Sequence, residues 1–164
     1  MGEWRPSGGS RVAADEIDHP WIDSSRAPLH VWCFPRHFTD EELRACIDAH
    51  RAWRAGVDHP VAWVIDLTHA KNATTAQRRM LADHVAASEP HDVRWNRGTA
   101  FVIPNAIVRA TVMAVLWMRH PLFETQLVET FDAGLSWAVG RLPPLSPSAA
   151  RPCRPGGAPP RTSR

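Results

Sequence analysis

The chain has 164 residues, of which 44% are hydrophobic and 22% charged, enough apolar material for one compact core and too little length for two ordinary domains. Its 19 basic and 17 acidic side chains leave a net charge of +2, which excludes the strongly basic stripe that a dedicated nucleic-acid binder sets against phosphates. The longest apolar stretch, around Val112 to Met118, falls well short of the ~20 residues that a membrane-spanning helix requires, so no membrane span is expected.

Residues 1–14 are polar, with Arg5 and Arg11 against Glu3, and are expected to form a disordered tail. The first predicted strand is a short one near Trp21 to Ser24. It pairs with a second at Leu29 to Phe34, bracketed by Pro28 and Pro35, where alternation puts Leu29, Val31 and Cys33 on one face and His30, Trp32 and Phe34 on the other. Thr39 followed by Glu42 is a capping box, and Phe38 can staple onto Leu43. The helix that starts there carries Leu43, Cys46, Ile47 and His50 at helical spacing and meets a stop at Gly56. Val61-Ala62-Trp63-Val64-Ile65, ending in Asp66-Leu67, is continuously apolar and suits a central strand covered on both faces.

Thr74 and Gln77 repeat the capping-box pattern ahead of a second helix with Met80, Leu81, His84 and Val85 on one stripe, which Pro90 is expected to end. Gly98 to Ile103 reads as the next strand, stopped by Pro104. Asn105 then caps a third helix whose inward face is Val108, Thr111, Val112, Val115 and Leu116. Gln126 to Val128 supplies a short last strand, and Thr130 and Asp132 open a final helix that buries Leu135, Ala138, Val139 and Leu142. From residue 143 to 164 four arginines stand without an acid among seven of the chain's fifteen prolines, a composition that cannot bury enough apolar surface to offset its ordering entropy.

The order β-β-α-β-α-β-α-β-α requires crossovers between strands. It predicts an α/β fold with a mixed, mostly parallel sheet of four to five strands and about four helices. The domain is expected at residues 15–142 with tails at 1–14 and 143–164. The C-terminal tail's arginines can attract acidic partners, but a solvated tail is the plainer reading. Cys33, Cys46 and Cys153 form no C-x-x-C pair, and the first residues show no apolar leader, so reduced thiols and a cytoplasmic location are expected. One lysine against eighteen arginines points to a GC-rich bacterial genome.

The layout resembles the STAS domain, the family of bacterial anti-sigma-factor antagonists, together with its lipid-binding relatives of the CRAL-TRIO type. The resemblance spans most of residues 15–142. It rests on Val61 to Thr68, a strand ending in Asp-Leu-polar before a loop and helix, on Gly98 to Pro104 followed by a helix, and on Leu127 to Trp137 as the closing strand and helix. It implies a non-catalytic regulatory module that binds a protein partner through the second helix and the loop before it. The antagonists carry Asp-Ser-Ser-Gly at the start of that helix, with a phosphorylated serine. Here the place reads Asn72-Ala73-Thr74-Thr75-Ala76, so the hydroxyls available to a kinase are those of Thr74 and Thr75, and capping alone already explains Thr74.

Nine histidines invite a metal reading, yet no helical i, i+4 pair and no Cys/His cluster at ligand spacing occurs, so neither a metal nor another cofactor is expected. The histidines read as core-edge or surface residues. No nucleophile elbow and no glycine-rich phosphate loop is present, which disfavours an enzyme. The polar cluster with the best address is Asp66, Thr68, His69, Lys71, Thr74 and Thr75, beyond the carboxyl end of a strand where α/β folds hold ligands. An acid/base pair of Asp66 and His69 is the weakest reading; Asp66 satisfying backbone N–H groups is the plainer one.

The third helix is apolar on more than one face. Val112, Met113, Leu116 and Trp117 are therefore candidates for an interface or for the wall of a cavity that holds a lipid or another apolar small molecule. A closed cavity lined by Val112, Leu116 and Trp117 is the expectation of the carrier reading, and a weak homodimer through this helix or the short last strand that of the interface reading.

Overall fold

A computed structural model describes residues 15–71, 73–118 and 122–142 and, in the helix at 106–118, the side chains of 106–110, 112, 113 and 116. Its elements are β1 (Ile22–Arg26), β2 (Leu29–Cys33), α1 (Asp40–Arg54), β3 (Val61–Asp66), α2 (Thr75–Trp95), β4 (Asn96–Val102), α3 (Ala106–Met118), β5 (Thr125–Val128) and α4 (Phe131–Val139). The tails at 1–14 and 143–164, the Trp117 side chain and His120 lie outside the described residues. So do the side chains of Thr111 and Val115.

The five strands form one sheet in the order β1-β2-β3-β4-β5, with β1 antiparallel to β2 and every later pair parallel. The α/β class and the mostly parallel sheet are thus as expected. Each crossover steps to the next strand in the same direction, and right-handed crossovers of that kind lay their helices on one face. Alternation along the strands then assigns the two cores. Val61, Trp63 and Ile65 of β3 face the layer that also holds Trp32, Leu43, Cys46 and Ile47. Ala62 and Val64 face the opposite layer with Leu29, Val31, Val102 and Ala138.

Among the described residues the opposite layer is closed by α4, and small residues bring that helix close. A Cβ at Gly134 would stand 3.0 Å from Val102 Cγ2 and 3.2 Å from Val128 Cγ2, and one at Gly98 would stand 2.8 Å from the Trp137 ring. Trp137 is fixed in turn by the Arg141 guanidinium, 4.5 Å from its ring centre, and Arg141 pairs with Glu124.

The helix starts follow the capping chemistry. Thr39 accepts from Glu42 N at 3.1 Å while Glu42 Oε2 accepts from Thr39 N at 2.7 Å, and Thr74 and Gln77 repeat the exchange at 3.1 and 3.0 Å. Asn105 Oδ1 accepts from Ile107 N at 2.8 Å, and Thr130 caps α4.

Pro90 does not end α2, which continues to Trp95. A proline leaves the carbonyl four residues earlier without its donor; here Pro90 is exposed and Ala86 half-buried. The inner side of the same turns is pinned to α1 through His84 and Ser88. The helix then runs into β4 without a loop, two residues earlier than Gly98. Asn96 supports that entry, its Nδ2 donating to Thr99 Oγ1 and its Oδ1 accepting from Gly98 N, both at 2.9 Å. The thiols also differ from expectation, since Cys46 is buried and free but Cys33 is disulfide-bonded. Among the described residues no helix is long and apolar enough to cross a membrane.

Candidate functional site, a cavity walled by tryptophan and histidine

A cavity of about 270 Å³ lies between the sheet and helices α2 and α3. Strand alternation supplies its floor, with Trp32, Trp63 and Ile65 and, one strand over, Thr99 and Phe101. Leu81, Ala82 and Val85 come from α2, and Val108, Val112 and Leu116 from α3. The lining is therefore aliphatic and aromatic over most of its extent. Val112 and Leu116 line it, but the space is open to solvent and not the closed cavity of the carrier reading; Trp117 is outside the described side chains. Of the remaining apolar residues of α3, Met113 is 39% exposed and Ile107 68%.

The cavity has two unlike polar ends. Toward the carboxyl ends of the strands it is bordered by Lys71 and Arg78, both exposed. Toward the amino ends, where parallel register sets Asn96 beside Val61 and Thr99 beside Trp63, the lining includes His50, His84, Ser88 and Asp92.

That second end continues into a layer of stacked rings. His50 Nδ1 lies 2.9 Å from His84 Nε2, so one ring donates and the other accepts. His50 also stacks on Trp53, centres 5.5 Å apart, and meets the edge of Trp63 at 5.0 Å. His30 packs 4.7 Å from Trp53 and 4.9 Å from Trp63. Burial removes the water that would solvate an imidazolium. It carries His84 down to about 4, with Arg54 and Arg51 adding repulsion, and His30 down to about 3, with His59 adding to it against Asp23. His50 sits well below the usual range for the same first reason, reinforced by His84 and Arg54. Burial acts oppositely on the acid beside them, holding Asp92 up at about 7 against the pull of Arg54.

Several polar atoms in this layer are buried without a hydrogen-bond partner, among them Trp32 Nε1, Trp53 Nε1, His30 Nε2 and His84 Nδ1. Of these residues, Trp32 and His84 also line the cavity. Ser88 is satisfied, donating to the His84 carbonyl at 2.8 Å and accepting from Arg54. The sequence treats these histidines as isolated because His30, His50 and His84 come from three different elements. The signal available was weak: each falls on the inward face of its strand or helix, and three inward histidines on neighbouring elements is a polar excess for a core.

The polar cluster expected after β3 is dispersed in its duties. Asp66 is buried and its Oδ1 accepts from Thr68 N at 2.9 Å, the backbone-satisfying role. No hydrogen bond or ion pair joins it to His69 among the described residues. Thr74 is the N-cap of α2, and Thr75 Oγ1 accepts from Arg78 at 3.2 Å. Gln77 ties this helix start to α1 by donating to Phe38 O at 3.1 Å and Asp40 Oδ1 at 3.0 Å. Lys71 alone reaches the cavity. No group of three or more potential metal ligands is assembled among the described residues.

No protein-family model matches the chain, and no curated protein or solved structure matches it at a significant level.

Proposed function

We propose that this domain is a non-catalytic binding module that holds a small, mainly apolar molecule in the cavity between the sheet and helices α2 and α3. One observation carries the reading: an apolar space of about 270 Å³ built from side chains of six successive elements, near the lower end of the ~300–1,000 Å³ usual for small-molecule sites. Apolar walls that face such a space stay in contact with water unless an apolar molecule covers them, which is what favours an occupant. Native mass spectrometry of freshly purified protein is expected to show a noncovalent adduct that denaturing solvent releases. An unliganded mass, together with no binding of any apolar probe, overturns the reading.

A second reading is the regulatory one, in which a STAS-like module docks a protein partner through α2 and the loop before it. The order of elements supports the STAS-like assignment, and Val85 and Val93, exposed at 41% and 50% on α2, favour docking there. A pull-down that recovers the same partner with Thr74→Glu, Thr75→Glu protein supports a constitutive surface; loss of the partner supports a phosphoswitch, and recovery of no partner removes this reading. The exposed Met113 and Ile107 of α3 support a weak homodimer. Light scattering over a hundredfold dilution should then show a mass that falls toward the monomer, and a monomeric mass throughout refutes it.

A further inference from the structure

The exposed end of the cavity narrows the chemistry of its occupant, and this step rests on the small-molecule reading above. A second hollow of about 420 Å³ adjoins the cavity, lined by His37, Asn105 and Ile107 and sharing Ala70, Lys71 and Val108 with it. Lys71 therefore stands where the two spaces meet. The residue is exposed, and no ion pair or hydrogen bond engages its ammonium among the described residues. Arg78, in the first turns of α2, lines the cavity as well and donates to Thr75 Oγ1 at 3.2 Å. Among the described residues that line either space the one acid is Asp92, and it lies about four helical turns from Arg78 along α2, ~21 Å at 1.5 Å per residue. The groove is thus cationic at one end and apolar along its length. At the far end the polar groups are committed within the protein, Ser88 to Arg54 and the His84 carbonyl, Asn96 to Thr99, and His50 to His84.

We propose that the occupant is an amphiphilic monocarboxylate, its hydrocarbon tail laid along Ile65, Leu81, Phe101 and Val112 and its carboxylate at Lys71, with Arg78 as the second cation. The two parts of such a molecule make opposite demands. Each methylene of the tail that leaves water raises affinity about fourfold, whereas the carboxylate stays at an exposed rim and avoids the cost of burying a charge. A lysine stem lies along apolar surface while its ammonium reaches water, so one residue meets both tail and head. A neutral alcohol would leave both cations unanswered. An amine would set like charge against them.

Octanoate, octanol and octylamine carry one tail and three charges at neutral pH. In calorimetric titration of the full chain, octanoate is expected to bind several-fold tighter than octanol, the size of one or two exposed ion pairs, with octylamine weakest. Salt at about 1 M should erase most of that advantage, because the screening length there is ~3 Å. Lys71 is the chain's only lysine, so reductive methylation with isotope-labelled formaldehyde gives one side-chain resonance, distinct from that of the terminal amine. This signal should move with octanoate and stay in place with octanol. In Lys71→Gln most of octanoate's advantage should vanish while octanol binding persists. Equal affinities for octanoate and octanol, or a Lys71 resonance that octanoate leaves unmoved, overturn the carboxylate assignment and leave the cavity reading standing. Tightest binding of octylamine overturns it in favour of a cationic head. Failure of all three probes overturns the cavity reading and this proposal together. The titrations and the resonance of the parent chain decide without the variant, should Lys71→Gln fold poorly.

Discussion

His50, His84 and His30 sit among tryptophan rings at a depth where imidazolium has no solvent, and stability should register that. Above pH 6.5, the ordinary histidine value, folded and unfolded chains both carry these rings neutral. As pH falls below it the unfolded chain binds protons that the folded chain refuses until about 4 at His84 and about 3 at His30. Stability is therefore lost progressively over that window, by ~1.4 kcal/mol for each pH unit that separates the two states' pKa values at one residue. Asp92 works in the opposite sense. Held at about 7 against an ordinary 3.8, it binds its proton in the folded state first and adds stability as pH falls between those values. Three histidines outweigh one acid, so urea midpoints should drop from pH 7 to pH 4.5, and Asp92→Asn should steepen the drop by removing the offset. A flat profile would refute the buried neutral layer.

The helices are anchored by capping and by close packing, and both devices lend themselves to measurement. Thr74→Ala removes the cap of α2 and should cost ~1 kcal/mol, whereas Thr74→Asp, which keeps an acceptor at the helix start, should cost little. Chemical denaturation of both variants checks this; equal losses would mean that the hydroxyl matters for something other than capping. At α4 the limiting feature is closeness. Adding a methyl at Gly98 brings it within 2.8 Å of a Trp137 ring that Arg141 holds in place, so Gly98→Ala should destabilise by about 1–3 kcal/mol, the range for overpacking. A variant as stable as the parent would show that Trp137 swings away freely. These elements were readable beforehand because capping boxes and alternation are local: Thr39 with Glu42 and Thr74 with Gln77 decide helix starts within four residues. Pro90 misled because the local rule that a proline ends a helix yields where tertiary contacts hold the preceding turns, here through His84 and Ser88.

For the whole molecule the decisive quantity is the space left between sheet, α2 and α3. Ala82→Phe places a ring in that space, and binding of any apolar probe should be lost while the melting temperature holds or rises, since the ring buries apolar area worth ~25 cal/mol per Å². A lower melting temperature with binding intact would place the cavity elsewhere. The periodicities of 2 and 3.6 in the sequence determined the α/β order, the parallel sheet and the inward faces, including the places of Val112 and Leu116, because side-chain direction follows directly from backbone repeat. Only the tertiary structure decided that His30, His50 and His84 share one layer and that a cavity separates α3 from β4. Periodicity fixes which way a residue points, but not which residues from distant elements point at each other, nor whether the volume between them is filled.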